Sequence, residues 1–186
     1  MGEVAGGLQR DPETSGAQNS TASYAVLWAV VAGLTLGLLL ASQTVAAYGD
    51  EGFHLLAARL INFGKKPYVD FLYTNPPLYA FANAGWMRVF GQSWRSAHAF
   101  SALLTGGCIL LVADFVFRRL RGTGWGLAGA IAASLLVGLH LLVVQFGTIG
   151  QTYGLCLFLI TAGFRIAVKA VERQGEIGRA SCRERV

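Results

Sequence analysis

The sequence is poor in charge and in the residues that build metal or disulfide frameworks. Only 13% of its 186 residues are Asp, Glu, Lys or Arg, while 54% are hydrophobic. That balance excludes an ordinary soluble domain and a charged disordered chain. The three cysteines and three histidines are scattered without metal-ligand spacing, which excludes a zinc or disulfide scaffold. Cys108 and Cys156 fall inside apolar runs and read as small buried apolar residues.

Long uncharged runs are what the chain has instead. The run from Tyr24 to Tyr48 holds no acidic or basic residue, and at about 1.5 Å per residue it is long enough to cross roughly 30 Å of hydrocarbon. Its leader carries Arg10 as the only basic residue against Glu3, Asp11 and Glu13, so it reads as an uncleaved first span and not as a signal peptide. Further runs at 96–117, 125–146 and 150–168 bring the expected number of transmembrane helices to about four, with residues 1–22 as a disordered cytoplasmic tail. Arg118, Arg119 and Arg121 between spans two and three, and Arg165, Lys169 and Arg173 after span four, set the orientation. The N-terminus is then cytoplasmic and loop 49–95 is outside. The spacings Gly33/Gly37 and Gly122/Gly126 suggest close helix packing. Asp114, four residues before Arg118, suggests a local ion pair.

The last residues, Ile177–Val186 (IGRASCRERV), break this pattern. The string matches one reading frame of a common sequencing-adapter oligonucleotide, so 176–186 reads as a non-native tail after a truncated gene fragment. Without Arg179, Arg183, Arg185 and Glu184, the 15 basic and 10 acidic residues become 12 and 9, and the net charge falls from +5 to +3. No nucleic-acid partner is expected.

Loop 49–95 opens on two adjacent carboxylates, Asp50 and Glu51. Wound as a helix, Glu51–Lys65 places Glu51, His54, Ala58, Asn62 and Lys65 along one stripe, opposite Phe53, Leu56, Ala57, Leu60 and Phe63. Such a helix would lie flat at the membrane surface, ending at Gly64 and Pro67. A second helix starts at Pro76-Pro77 and runs to Gly91, apolar almost all round and too short to span, which suits burial between the first helix and the membrane. The segment 67–75 between them is expected to be extended and carries Asp70. The chain thus reads as an all-α membrane protein with two interfacial helices in a long first external loop. Asp50 and Glu51 are helix caps on one reading and catalytic carboxylates on another.

The order YGDEGFHLLAARL, GKKPYVDF, PPLYAFANAGWMRVFGQS, each in its place between the first two spans, resembles the N-terminal part of polytopic glycosyltransferases of the protein mannosyltransferase and aminoarabinose transferase type, which have the GT-C fold. The likeness covers residues 24–105 and, more loosely, those up to 170. It implies a multi-pass enzyme of the bacterial plasma membrane that moves a sugar from a polyprenyl-phosphate donor to a hydroxyl of a lipid, glycan or protein acceptor on the outer face. By position, Asp50 would be the general base and Glu51 its helper. His54, Arg59, Lys65, Lys66, Tyr68, Asp70 and Arg88 would be substrate-binding candidates, with the cations facing the leaving phosphate. Membrane lipids are expected partners. The resemblance leaves the cofactor undetermined, because the group includes metal-dependent and metal-independent enzymes and one carboxylate pair is not a full ligand set. The chain departs from the pattern at Asn75, at His98 where relatives carry Arg, and at Gln151 where they carry an acid. Such enzymes are longer, so the fragment alone is expected to be inactive. A transporter of lipid-linked sugars and a membrane assembly subunit are the alternatives.

Overall fold

The computed structural model describes the backbone of residues 12–44 and 49–183, and the side chains of 21–44 and 49–173. It is helical, and among the described residues there is no strand, only an isolated bridge between Pro67 and Phe71. The described residues form, in order, α1 Pro12–Thr44, α2 Glu51–Asn62, α3 Pro77–Phe90, α4 Trp94–Leu120, α5 Gly126–Gly138, α6 Leu141–Phe146 and α7 Thr152–Arg183.

Among the described residues three stretches are long and apolar enough to cross a membrane: Thr21–Thr44, Trp94–Thr123 and Thr152–Arg173. The apolar run at 125–146, expected as one span, is divided instead. At roughly 1.5 Å per residue the 13 residues of α5 reach only about 20 Å. The chain then leaves the helix at Leu139 and turns extended at His140 (φ −65°, ψ 125°) before α6 begins. Gly138 lets this happen close to the core: a Cβ there would lie 3.1–3.3 Å from Ile109 and Leu34.

α4 is the hub, in contact with α1, α5, α7 and α3. Its core is built from Leu27, Val31 and Leu38 of α1, Ala102, Ile109, Ala113 and Phe117 of α4, and Ala130 of α5. Small residues let the helices approach, as expected where helix association in lipid depends on close packing. Glycines serve this at Gly106, whose Cβ would fall 2.5 Å from Thr35, at Gly107, 2.9 Å from Phe158, and at Gly126, singled out by spacing, 3.1 Å from Phe117 O. Gly33, Gly37 and Gly122, singled out by spacing, have open space around them. Cys108 is buried, as expected, but Cys156 is exposed on the outer side of α7.

The ends differ from the sequence reading. α1 starts at Pro12, so the backbone of 12–22 is helical where a disordered tail was expected; proline is tolerated at a first helical position because its missing N–H has no partner there anyway. α7 continues through Ile177 to Arg183, a backbone fact that does not bear on the origin of that tail. Residues 1–11, 45–48 and 184–186 lie outside the described residues.

Loop 49–91 folds over the start of α4. α2 packs on α3 and α3 on α4. The buried face carries Glu51 and His54 together with Ala57 and Ala58, while Leu56, Phe63 and Lys65 are exposed. Glu51, His54 and Asn62 find partners there: His98, Tyr73 and, at 3.0 Å from Asn62 Nδ2, Ala84 O. α3 buries Tyr79, Ala80, Asn83, Ala84 and Met87 but leaves Leu78, Phe81, Val89 and Phe90 exposed, so it is covered on one side only. The first half of the segment 67–75, expected to be extended, is a turn. Asp70 Oδ2 accepts from Lys66 N at 2.7 Å and Asp70 N donates to Lys66 O at 2.9 Å, closing a tight turn. Tyr68 holds the left-handed φ of 66° there, and its hydroxyl donates to Asn75 O at 2.6 Å.

Candidate active site

The carboxylate pair is split by the fold. Asp50 precedes the first turn of α2 and is exposed; its carbonyl accepts from Phe53 N at 3.1 Å, but its side chain makes no capping hydrogen bond. Glu51, one residue on, is fully buried. Its Oε1 meets His98 Nε2, on the first turns of α4, and accepts from Gly150 N at 3.1 Å. Two consecutive helical residues point about 100° apart, which suffices to send one carboxylate to the surface and the other into the core. Neither side chain serves as the hydrogen-bonded cap that composition alone suggested.

The hydrogen-bond inventory of His98 fixes the charge of this buried pair. Nδ1 donates to Ser42 O of α1 at 2.7 Å, and a carbonyl can only accept. Nε2 faces a carboxyl oxygen, and a bare lone pair there would oppose another. A proton therefore lies between them, and the Glu51–His98 unit is neutral as a whole, either as imidazolium with carboxylate or as imidazole with carboxylic acid. Glu51 is thus committed to structure. Glu51 ties α2 to α4 and to the segment before α7, and His98 ties α4 to α1 through Ser42 O. Gly150 is required at this point, since a Cβ would lie 2.7 Å from Glu51 Oε1. Gln43 adds a further stitch by donating to Arg95 O at 3.2 Å.

Beside this latch lies an aromatic wall. His54 Nδ1 is 3.0 Å from Tyr73 Oη, Phe53 stacks on Tyr73 with ring centroids 5.3 Å apart, and Tyr79 meets the His54 ring edge-on. Burial pushes the His54 imidazole below its ordinary pKa, with the charges of Asp50 and Glu51 opposing that shift. Burial raises the phenols of Tyr73 and Tyr79. All three are therefore neutral near pH 7. Behind them, between α3 and α4, both polar atoms of Asn83 and the hydroxyl of Ser96 are buried without a hydrogen-bond partner among the described residues.

The remaining sequence candidates are distributed differently. His54 is buried against Tyr73 and Tyr79. Asp70 is the acceptor that closes its own turn, and Tyr68 shapes the same turn. Arg59, Lys65, Lys66 and Arg88 are exposed and make no ion pair among the described residues. No three side chains among His, Cys, Asp and Glu come together in the described residues. His98 is the site residue that residue-by-residue reading missed, and its signal was faint: an ionisable side chain at the start of an apolar run, where the resembling enzymes carry a cation.

No protein-family model, curated protein or solved structure matches the chain.

Proposed function

We propose that the chain is the N-terminal part of a multi-pass membrane glycosyltransferase of GT-C type, with α5 and α6 together forming a fourth, broken crossing. In this reading a sugar passes from a polyprenyl-phosphate donor to a hydroxyl acceptor on the outer face, and Asp50 is the general base. The observation that supports it is the division of labour in the carboxylate pair. Glu51 is immobilised by His98 and Gly150, and the adjacent Asp50 is left exposed, uncapped and positioned by its neighbour. A hydroxyl is a weak nucleophile at its own pKa, and a positioned carboxylate that takes its proton contributes about 10²–10⁴-fold. The exposed cations of the same loop supply charge for the leaving phosphate. In this reading Glu51, held by His98 and Gly150, is the helper that positions Asp50.

The test is transfer from polyprenyl-phosphate-linked sugars in membranes carrying the protein encoded by the full reading frame. Asp50→Asn is expected to abolish transfer while the protein is still inserted and folded. Full transfer by that variant would remove Asp50 from the mechanism.

A further inference from the structure

The opposite end of the span bundle carries a second cluster of charge that the carboxylate site does not use. Here α4 and α7 part around a cavity of about 430 Å³, lined by Phe115, Arg118, Arg119, Arg165, Ile166 and Lys169 among others. Asp114 joins two of the arginines: Arg118 Nε donates to Oδ1 at 2.7 Å and Arg165 to Oδ2 at 2.5 Å. Arg119 pairs with Glu172 at 2.9 Å. Arg165 is held a second time by lying over the Phe115 ring, 5.2 Å from its centroid. Lys169 is exposed and has no ion pair among the described residues. Four cations thus face two carboxylates, and the cavity keeps an excess of two positive charges.

We propose that this cavity binds the phosphodiester headgroup of an anionic phospholipid. Three observations favour a lipid over a soluble anion. The cavity sits at the ends of two membrane-length helices, at the level where headgroups lie. Its wall combines the cations with Phe115 and Ile166, so a bound phosphate would continue into acyl chains along the exposed apolar side of α7. The arginines are already oriented by Asp114 and Glu172, which lowers the ordering cost of gripping a phosphate with planar guanidinium groups. Lys169 supplies the uncommitted charge.

Titration of the 186-residue chain in neutral detergent with short-chain phosphatidylglycerol, phosphatidylcholine and inorganic phosphate, read by native mass spectrometry, tests this. Phosphatidylglycerol should bind selectively, about fivefold more weakly in Lys169→Gln and more weakly still when Arg165→Gln is added. Arg173→Gln, outside the cavity, should leave binding unchanged. Because Lys169 is exposed and makes no ion pair, loss in that single variant does not reflect unfolding. Equal binding of phosphatidylcholine, no effect of Lys169→Gln, or an equal loss in Arg173→Gln would overturn the proposal. Inorganic phosphate binding as tightly as the lipid would overturn the headgroup assignment in favour of a soluble anion.

Discussion

The two ends of the span bundle use the same chemistry, carboxylate against cation, to opposite effect. At the loop end Glu51 and His98 are both fully buried and form one neutral unit. At the other end Arg118 and Arg119 are 67% and 68% exposed, and their acids remain partly in contact with solvent. A buried pair contributes little as a pair, yet removing one member strands the other, at a cost of about 3–5 kcal/mol. An exposed pair is screened and typically contributes about 0–1 kcal/mol. The loop end is therefore a latch, and the other end is a surface free to hold a ligand.

The largest expected effect comes from breaking the latch. Glu51→Ala leaves His98 buried opposite no acceptor and should lower unfolding stability in micelles by about 3–5 kcal/mol. The double variant Glu51→Ala with His98→Ala should lose less than the sum of the two single losses, as contacting residues do in a double-mutant cycle. Full additivity would mean that the pair is not coupled. A smaller loss, about 1–3 kcal/mol by overpacking, is expected from Gly150→Ala, whose new Cβ would press on Glu51 Oε1. Retained stability there would show that the segment before α7 can move away.

Much of the helical frame was legible in the sequence, because uncharged runs and the Pro-Pro and Gly64 punctuation mark helices locally. The Asp114–Arg118 pair was legible for the same reason, being one helical turn apart. What was not legible depends on distant partners. His98 lies 47 positions from Glu51, and nothing in its neighbourhood states which carboxylate it meets. The α2 stripe was legible, but not its partners: His98, Tyr73 and Ala84, which receive Glu51, His54 and Asn62, come from other segments. The break at Leu139–His140 carries no proline or charge, and it follows from packing around Gly138 and from the turn toward α6.

Acidity should separate the two ends next. The buried imidazole of His54 titrates below its ordinary 6.5 in the folded state, so the unfolded chain binds the proton more readily. Stability should decline as pH falls through about 6.5 toward the lower folded value, and be unaffected by this group at higher pH. His54→Gln should flatten that slope in a pH series of melts; an unchanged slope would place the titration elsewhere. The smallest effect belongs to the other end: Arg119→Gln, which removes the exposed pair with Glu172, should change stability by no more than about 1 kcal/mol. A larger loss would erase the contrast between latch and surface.

The central claim is that adjacent carboxylates do different jobs, and it is tested most directly by unfolding Asp50→Asn and Glu51→Gln side by side. Both substitutions keep shape and remove charge. The account predicts that Asp50→Asn stays within about 0.5 kcal/mol of the parent, as surface substitutions do, while Glu51→Gln is clearly destabilised. Equal destabilisation of the two variants, or a stable Glu51→Gln, would contradict it.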